Sequence, residues 1–198
     1  MSVRSFLRDI DASWKWPRDT KIPLRIIGAS ALLLQTDYDR GTKDSDILES
    51  DAVDPKTQAR LLELANEGSS IYRRQKMYIQ FVSRGMPFLP QAPLWHKEVD
   101  LNADLTHFEV EFLDVVDVVV SKLARFHADD ISDINAMISD GHVSHAAFLT
   151  RFNSAMDAHC SDDGLLVRAE RFNRIERDTF VVPETKFEFP DWLTDRFE

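Results

Sequence analysis

The chain has 198 residues, 43% of them hydrophobic, enough to bury a core without disulfides; its single cysteine, Cys160, excludes an intramolecular one. A formal net charge of −10 argues against a protein that coats nucleic acid with a generally basic surface. The apolar run 115–120 is broken by Asp117 and falls far short of the ~20 residues a membrane span needs, and no apolar leader opens the sequence, so the chain reads as cytoplasmic with no membrane partner.

Val3, Phe6, Leu7 and Ile10 recur at helical spacing and predict a short amphipathic helix over 1–13. Pro17 and Pro23 bracket a loop. Residues 24–27 then read as an apolar strand, Gly28 as its turn and 29–35 as a helix led by small residues. After a loop over 37–42, residues 44–48 read as a second strand, and strand alternation places Asp44 and Asp46 on one face. A helix over 58–66 ends at Gly68, and 77–82 is a third strand. Pro87, Pro90 and Pro93 mark an irregular crossing, followed by strands expected at 98–101 and 108–113.

From Asp114 the period turns helical, with Asp114 and Asp117 spaced as an N-cap and its N3 carboxylate. Helices are expected over 114–126, 130–139, 144–159 and 164–177, and an extended arm over 180–198 around Phe187, Phe189 and Trp192. The order predicts an α/β (α+β) fold, with a mixed sheet flanked by helices over 1–113 and a helical region with an extended tail over 114–198.

Two aspartates one residue apart on a strand can chelate a divalent ion that also grips a triphosphate. In so acidic a chain an Asp-x-Asp alone says little. What gives it weight is the preceding strand, which runs into Gly28-Ala29-Ser30: glycine allows a tight turn, and the next helix start offers amides and a favourable dipole to phosphate. Lys122 falls within the apolar arc of its predicted helix and therefore needs a partner or an escape to solvent. Asp129 and Asp130 are explained as helix-start acids; Asp133, one turn further in, is not.

Residues 27–32, Ile-Gly-Ala-Ser-Ala-Leu, followed by Arg40-Gly41-Thr42-Lys43-Asp44-Ser45-Asp46-Ile47, resemble the nucleotidyltransferase superfamily of the DNA polymerase β-like fold. The likeness is greatest to bacterial families related to type IV abortive-infection toxins, from whose usual second glycine Ala29 departs. It continues through Asp117–Arg125 and Asp130–Ile134, so that it covers 22–138. The resemblance implies that Asp44 and Asp46 hold Mg²⁺ or Mn²⁺, that Gly28, Ala29 and Ser30 bind the phosphates of a nucleoside triphosphate, and that Lys122 contacts the triphosphate. One of Asp130 and Asp133, with Asp133 the stronger candidate, would complete the site. It also implies an RNA (such as tRNA) or protein acceptor and an antitoxin partner. Such enzymes add a third carboxylate from a neighbouring strand, where this chain has Gln80; an amide is neither base nor strong metal ligand. Asp100 or Glu111 is the replacement available on a later strand. The rival reading is a nucleotidyltransferase-like module that no longer turns over.

The six histidines show no metal-ligand spacing, and Cys160 has no basic neighbour to activate it. Arg73, Arg74 and Lys76 cluster, whereas Arg168, Arg171, Arg174 and Arg177 form a stripe that reads as a solvated helix face.

Overall fold

The computed structural model describes residues 2–16, 19–38, 40–189 and 193. It divides into two compact units, Met1–Pro87 with Leu94–Asp114, and Phe88–Pro93 with Val115–Glu198.

The first unit begins with α1 (Val3–Ser13), whose start is fixed by a capping box between Ser2 and Ser5. Its apolar stripe of Val3, Phe6, Leu7 and Ile10 is buried as the spacing predicts. Asp11 is buried on the same helix. Its carboxylate accepts from the amides of Thr106, His107 and Phe108 at 2.9, 2.7 and 3.2 Å, which gives a buried charge the hydrogen bonds it requires.

Behind α1 lies a mixed five-stranded sheet of order β3-β2-β1-β5-β4. Its strands are β1 (Ile22–Ile27), β2 (Asp44–Leu48), β3 (Tyr78–Val82), β4 (Trp95–Lys97) and β5 (Phe108–Leu113). β1 runs antiparallel to β2 and parallel to β5, β2 runs parallel to β3, and β4 closes the far edge antiparallel to β5. Leu24, Ile26, Ser45, Ile47, Ile79 and Val110 are buried on one face, and alternation sends Arg25, Asp44, Asp46, Gln80 and Glu111 to the other.

Between the strands run α2 (Gly28–Gln35), α3 (Pro55–Ala65), α4 (Ser70–Gln75) and α5 (Val99–Asp104). α3 starts earlier than expected, because Asp54 accepts from the Thr57 amide and Pro55 occupies the first turn. α4 was not expected; it is a short helix capped by Ser69 and closed by Lys76 in the left-handed region at φ 56°.

The strand expected over 98–101 is corrected. The strand is Trp95–Lys97, and Val99–Asp104 is helical. The alternation misleads because Val99 is exposed while Leu101 is buried. Asn102 then takes the place of a strand residue, exchanging side-chain hydrogen bonds with both the Val110 amide (2.7 Å) and carbonyl (2.9 Å).

The second unit contains α6 (Val115–Lys122), α7 (Ala128–Ser139), α8 (His145–Ala158), α9 (Leu165–Ile175) and a π-helical turn, Glu176–Phe180. α6 stops short of the expected residue 126, where Phe126 takes a left-handed φ of 58°. Phe148 and Phe152 each stack on Phe172 with centroids 4.5 Å apart, and Phe187 of the tail packs edge-on against Phe152 and Phe172. The predicted roles of Pro17 and Trp192 lie outside the described residues. Asp117 is fully buried and meets Arg151 through both oxygens at 2.6 Å, a bidentate pair that ties α6 to α8.

The arginine stripe is only partly a solvated face. Arg171 donates to the Leu123 and Ala124 carbonyls at 2.7 and 2.6 Å, satisfying the frayed end of α6, and Arg168 binds Asp162 at 2.7 Å. Arg174 and Arg177 meet Asp178 at the surface.

Candidate active site

β1 ends at Ile27 in extended conformation, and Gly28 turns the chain at φ +66°, a value an L side chain rarely adopts. Glycine has a second reason here. A Cβ on Gly28 would lie 2.7 Å from Oδ2 of Asp46, so the carboxylate packs directly against the turn. The strand register explains the approach, since Ile27 pairs with Asp46 on the antiparallel neighbour β2.

α2 starts at this turn, where its N-cap residue Ile27 offers no side-chain hydrogen bond and the Asp46 carboxylate lies against the first residue of the helix. Ala29 sits in its first turn. The hydroxyl of Ser30 donates to the Asp44 carbonyl at 3.0 Å, and the side chain is buried. Ser30 therefore clamps the start of β2 to the start of α2.

Asp44 and Asp46 are half-exposed on the same face of β2, with Ser45 buried between them on the other. Thr42 orients the first of them. Its hydroxyl lies 2.9 Å from Oδ1 of Asp44 and 3.1 Å from the Asp44 carbonyl. The signal for Thr42 was the Thr-x-Asp-x-Asp spacing, though the spacing alone gave it no function.

On β3, Tyr78 pairs with Asp44 and Gln80 with Asp46. Gln80 is exposed and occupies the place beside Asp46 where a third carboxylate would stand. Tyr78 went unnoticed in the sequence. Burial, then the negative charges of Asp44, Glu67 and Asp46, push its phenol above the ordinary tyrosine value.

Neither expected replacement for the third acid stands next to the pair. Asp100 is on α5, not on a strand, and is exposed. Glu111 is on β5, two strands from β2, and pairs with Arg25 at 3.2 Å. Among the described residues no three His, Cys, Asp or Glu side chains gather as a metal cage. Two carboxylates on one face nevertheless suit Mg²⁺, which commonly takes one or two protein carboxylates and completes its shell with water and substrate phosphate.

Lys122 and Asp133 come together in the second unit. Of the two outcomes its helix position left open, Lys122 takes the partner: it is buried, with Nζ 2.7 Å from Oδ2 of Asp133 and 3.2 Å from Oδ1 of Asp130. Asp130 also accepts from Arg125 through both oxygens at 2.9 Å and from the His127 amide at 3.1 Å. Burial alone would raise its pKa. The Arg125 hydrogen bonds, the Lys122 charge and the His127 amide outweigh burial and hold the carboxyl at about 2.

Because the folded value lies below the unfolded one, Asp130 contributes stability that is present above about pH 4 and lost as pH falls through about 2. Asp130→Asn is expected to cost about 2 kcal/mol at pH 7 and progressively less toward pH 2. Urea titrations across that range check this, and a cost independent of pH contradicts it.

Gly28→Ala is expected to lower stability modestly. The left-handed φ costs about 1 kcal/mol for a side chain with Cβ, and the new methyl forces the Asp46 carboxylate to shift. Urea denaturation measures the drop, and unchanged stability contradicts the close packing of turn and carboxylate.

The mixed sheet, the strand-glycine-helix turn and the aspartate pair beside it define a nucleotidyltransferase-type unit. The family described as "Nucleotidyltransferase of unknown function" (DUF6036) matches residues 6–163, and the chain belongs to that family. No curated protein and no solved structure matches it. No helix of the described residues is long and apolar enough to cross a membrane.

Proposed function

We propose that the protein transfers a nucleotidyl group from a nucleoside triphosphate to an acceptor, RNA or protein, with Mg²⁺ or Mn²⁺. The observation that carries this is the packing of Asp46 against Gly28, which sets two same-face carboxylates at the first turn of α2. Asp44 and Asp46 would hold the ion, and the first turn of α2 would receive phosphate oxygens. The ion, when bound, neutralises phosphate charge and orients the triphosphate. An acceptor oxygen bonds to the α-phosphorus as the α–β bridging bond breaks and pyrophosphate leaves. Gln80 has no basic group, so the acceptor proton departs through a carboxylate already in the site or through water.

Lys122 and Asp133 are assigned to holding α6 against α7, on the strength of their ion pair. The greater resemblance to abortive-infection toxins suggests a toxin restrained by a cognate antitoxin. Growth arrest on expression of the wild type, absent for Asp44→Ala/Asp46→Ala, would support that setting.

A second reading rests on Gln80: a module that binds nucleotide without turnover. One assay separates the two. The protein is incubated with labelled nucleoside triphosphates, magnesium or manganese, and total RNA or cell extract, beside Asp44→Ala/Asp46→Ala. Transfer lost in the variant supports the enzyme, transfer surviving it removes the assignment, and metal-dependent binding without transfer selects the module.

A further inference from the structure

In the first unit a pocket of about 550 Å³ opens where the start of α1, the loop between α2 and β2, and the turn before β3 meet. Its polar lining includes Arg4, Tyr38, Arg40, Lys43, Gln75 and Lys76, and no aspartate or glutamate is among the described residues that line it. The chain carries 34 acidic and 24 basic residues, so four cations around a pocket with no acid among its described lining residues is a local reversal of charge.

The four cations are not equally engaged. Arg4 is paired with Glu98 and donates to the Leu34 carbonyl at 2.6 Å. Lys43 and Lys76 are exposed, and neither forms an ion pair among the described residues. Their backbones are nonetheless fixed. The Lys43 carbonyl accepts from the Tyr78 amide at 2.8 Å, and the Lys76 amide, in the left-handed cap of α4, donates to the Tyr72 carbonyl at 2.7 Å. Two unneutralised ammonium groups on anchored backbone, set in one pocket, are the elements of a site for the phosphates of a single strand.

The position of the pocket argues against a second triphosphate site. Its wall includes Thr42 and Lys43, the two residues that lead into Asp44, yet it contributes no carboxylate to share a metal with a polyphosphate. A strand carrying one charge per nucleotide matches dispersed cations better than a magnesium-chelated triphosphate does.

We infer that this pocket binds the phosphates of single-stranded RNA, holding the acceptor next to the Thr42–Asp44 segment. The acceptor role rests on the transferase reading; the binding itself does not, because it requires neither metal nor nucleotide.

The test uses fluorescence anisotropy with a labelled single-stranded RNA of about 12 nucleotides, within the usual span of such sites, in EDTA and over a salt series. Lys43→Gln/Lys76→Asn is the variant, asparagine being tolerant of the left-handed conformation at 76. The wild type should bind, and the variant should bind about tenfold more weakly, with a log–log salt slope shallower by about 1.4, or about 0.7 for each phosphate that is no longer neutralised. Absence of wild-type binding, or equal binding by the lysine variant, overturns the inference. So does an outcome in which the lysine variant loses pyrophosphate or ATP binding while RNA never binds. RNA binding with no label transfer leaves the site standing and removes only the transferase reading.

Discussion

Asp44→Asn/Asp46→Asn is expected to lower label transfer at least about 10³-fold while leaving the fold intact. The magnitude follows from removing the charges that would hold the metal and, through it, the triphosphate; deleting a single electrostatic interaction in an active site commonly costs about 10²–10³ in rate. The effect on stability is expected to be small. Both side chains are half-exposed on one face of β2, so the substitutions leave no hole in the core. Asparagine keeps an oxygen to accept from Thr42, which lies 2.9 Å from Asp44 Oδ1. Melting temperature should therefore change little. A scanning calorimeter and the transfer assay, run on the same preparation, read both. A variant that loses activity only by unfolding contradicts the account.

Lys122→Met is expected to destabilise the protein by about 3–5 kcal/mol, the usual cost of removing one partner from a buried ion pair. Side-chain exposure is 7% for Lys122, 2% for Asp130 and 0% for Asp133, so water cannot readily replace the lost charge. Asp130 keeps Arg125 and the His127 amide, whereas Asp133 loses the ammonium 2.7 Å from its Oδ2. Lys122→Met/Asp133→Leu should recover most of the loss, because an apolar pair of similar volume avoids desolvating two charges. Urea denaturation of the three proteins tests this. A single variant as stable as the wild type would show that the pair does not hold α6 and α7. The result also governs how activity data on Lys122 are read, since an inactive Lys122 variant is informative only if folded.

Much of the first unit was legible because its signals are local. The period of two over 44–48 put Asp44 and Asp46 on one face, and the structure has the strand at Asp44–Leu48. Gly28 was recognisable as a turn for the same reason. The approach of Asp46 was not, because it depends on a pairing between β1 and β2 that no local pattern encodes. The apparent alternation over 98–101 failed where a six-residue helix borrowed Asn102 to bond β5. α4 escaped notice because one capped turn has little periodicity to display.

By itself the sequence determined the fold class, the place of Lys122 in the apolar arc of its helix, and which residues the nucleotidyltransferase resemblance rests on, since propensity and side-chain period are properties of neighbouring residues. Only the tertiary structure decided that Ser30 clamps β2, that Gln80 stands beside Asp46, that Lys122 is held by Asp130 and Asp133, and that Lys43 and Lys76 share a pocket. Each of these depends on which strands and helices become neighbours. That choice is made by burial of the whole apolar surface, to which no short segment holds the key.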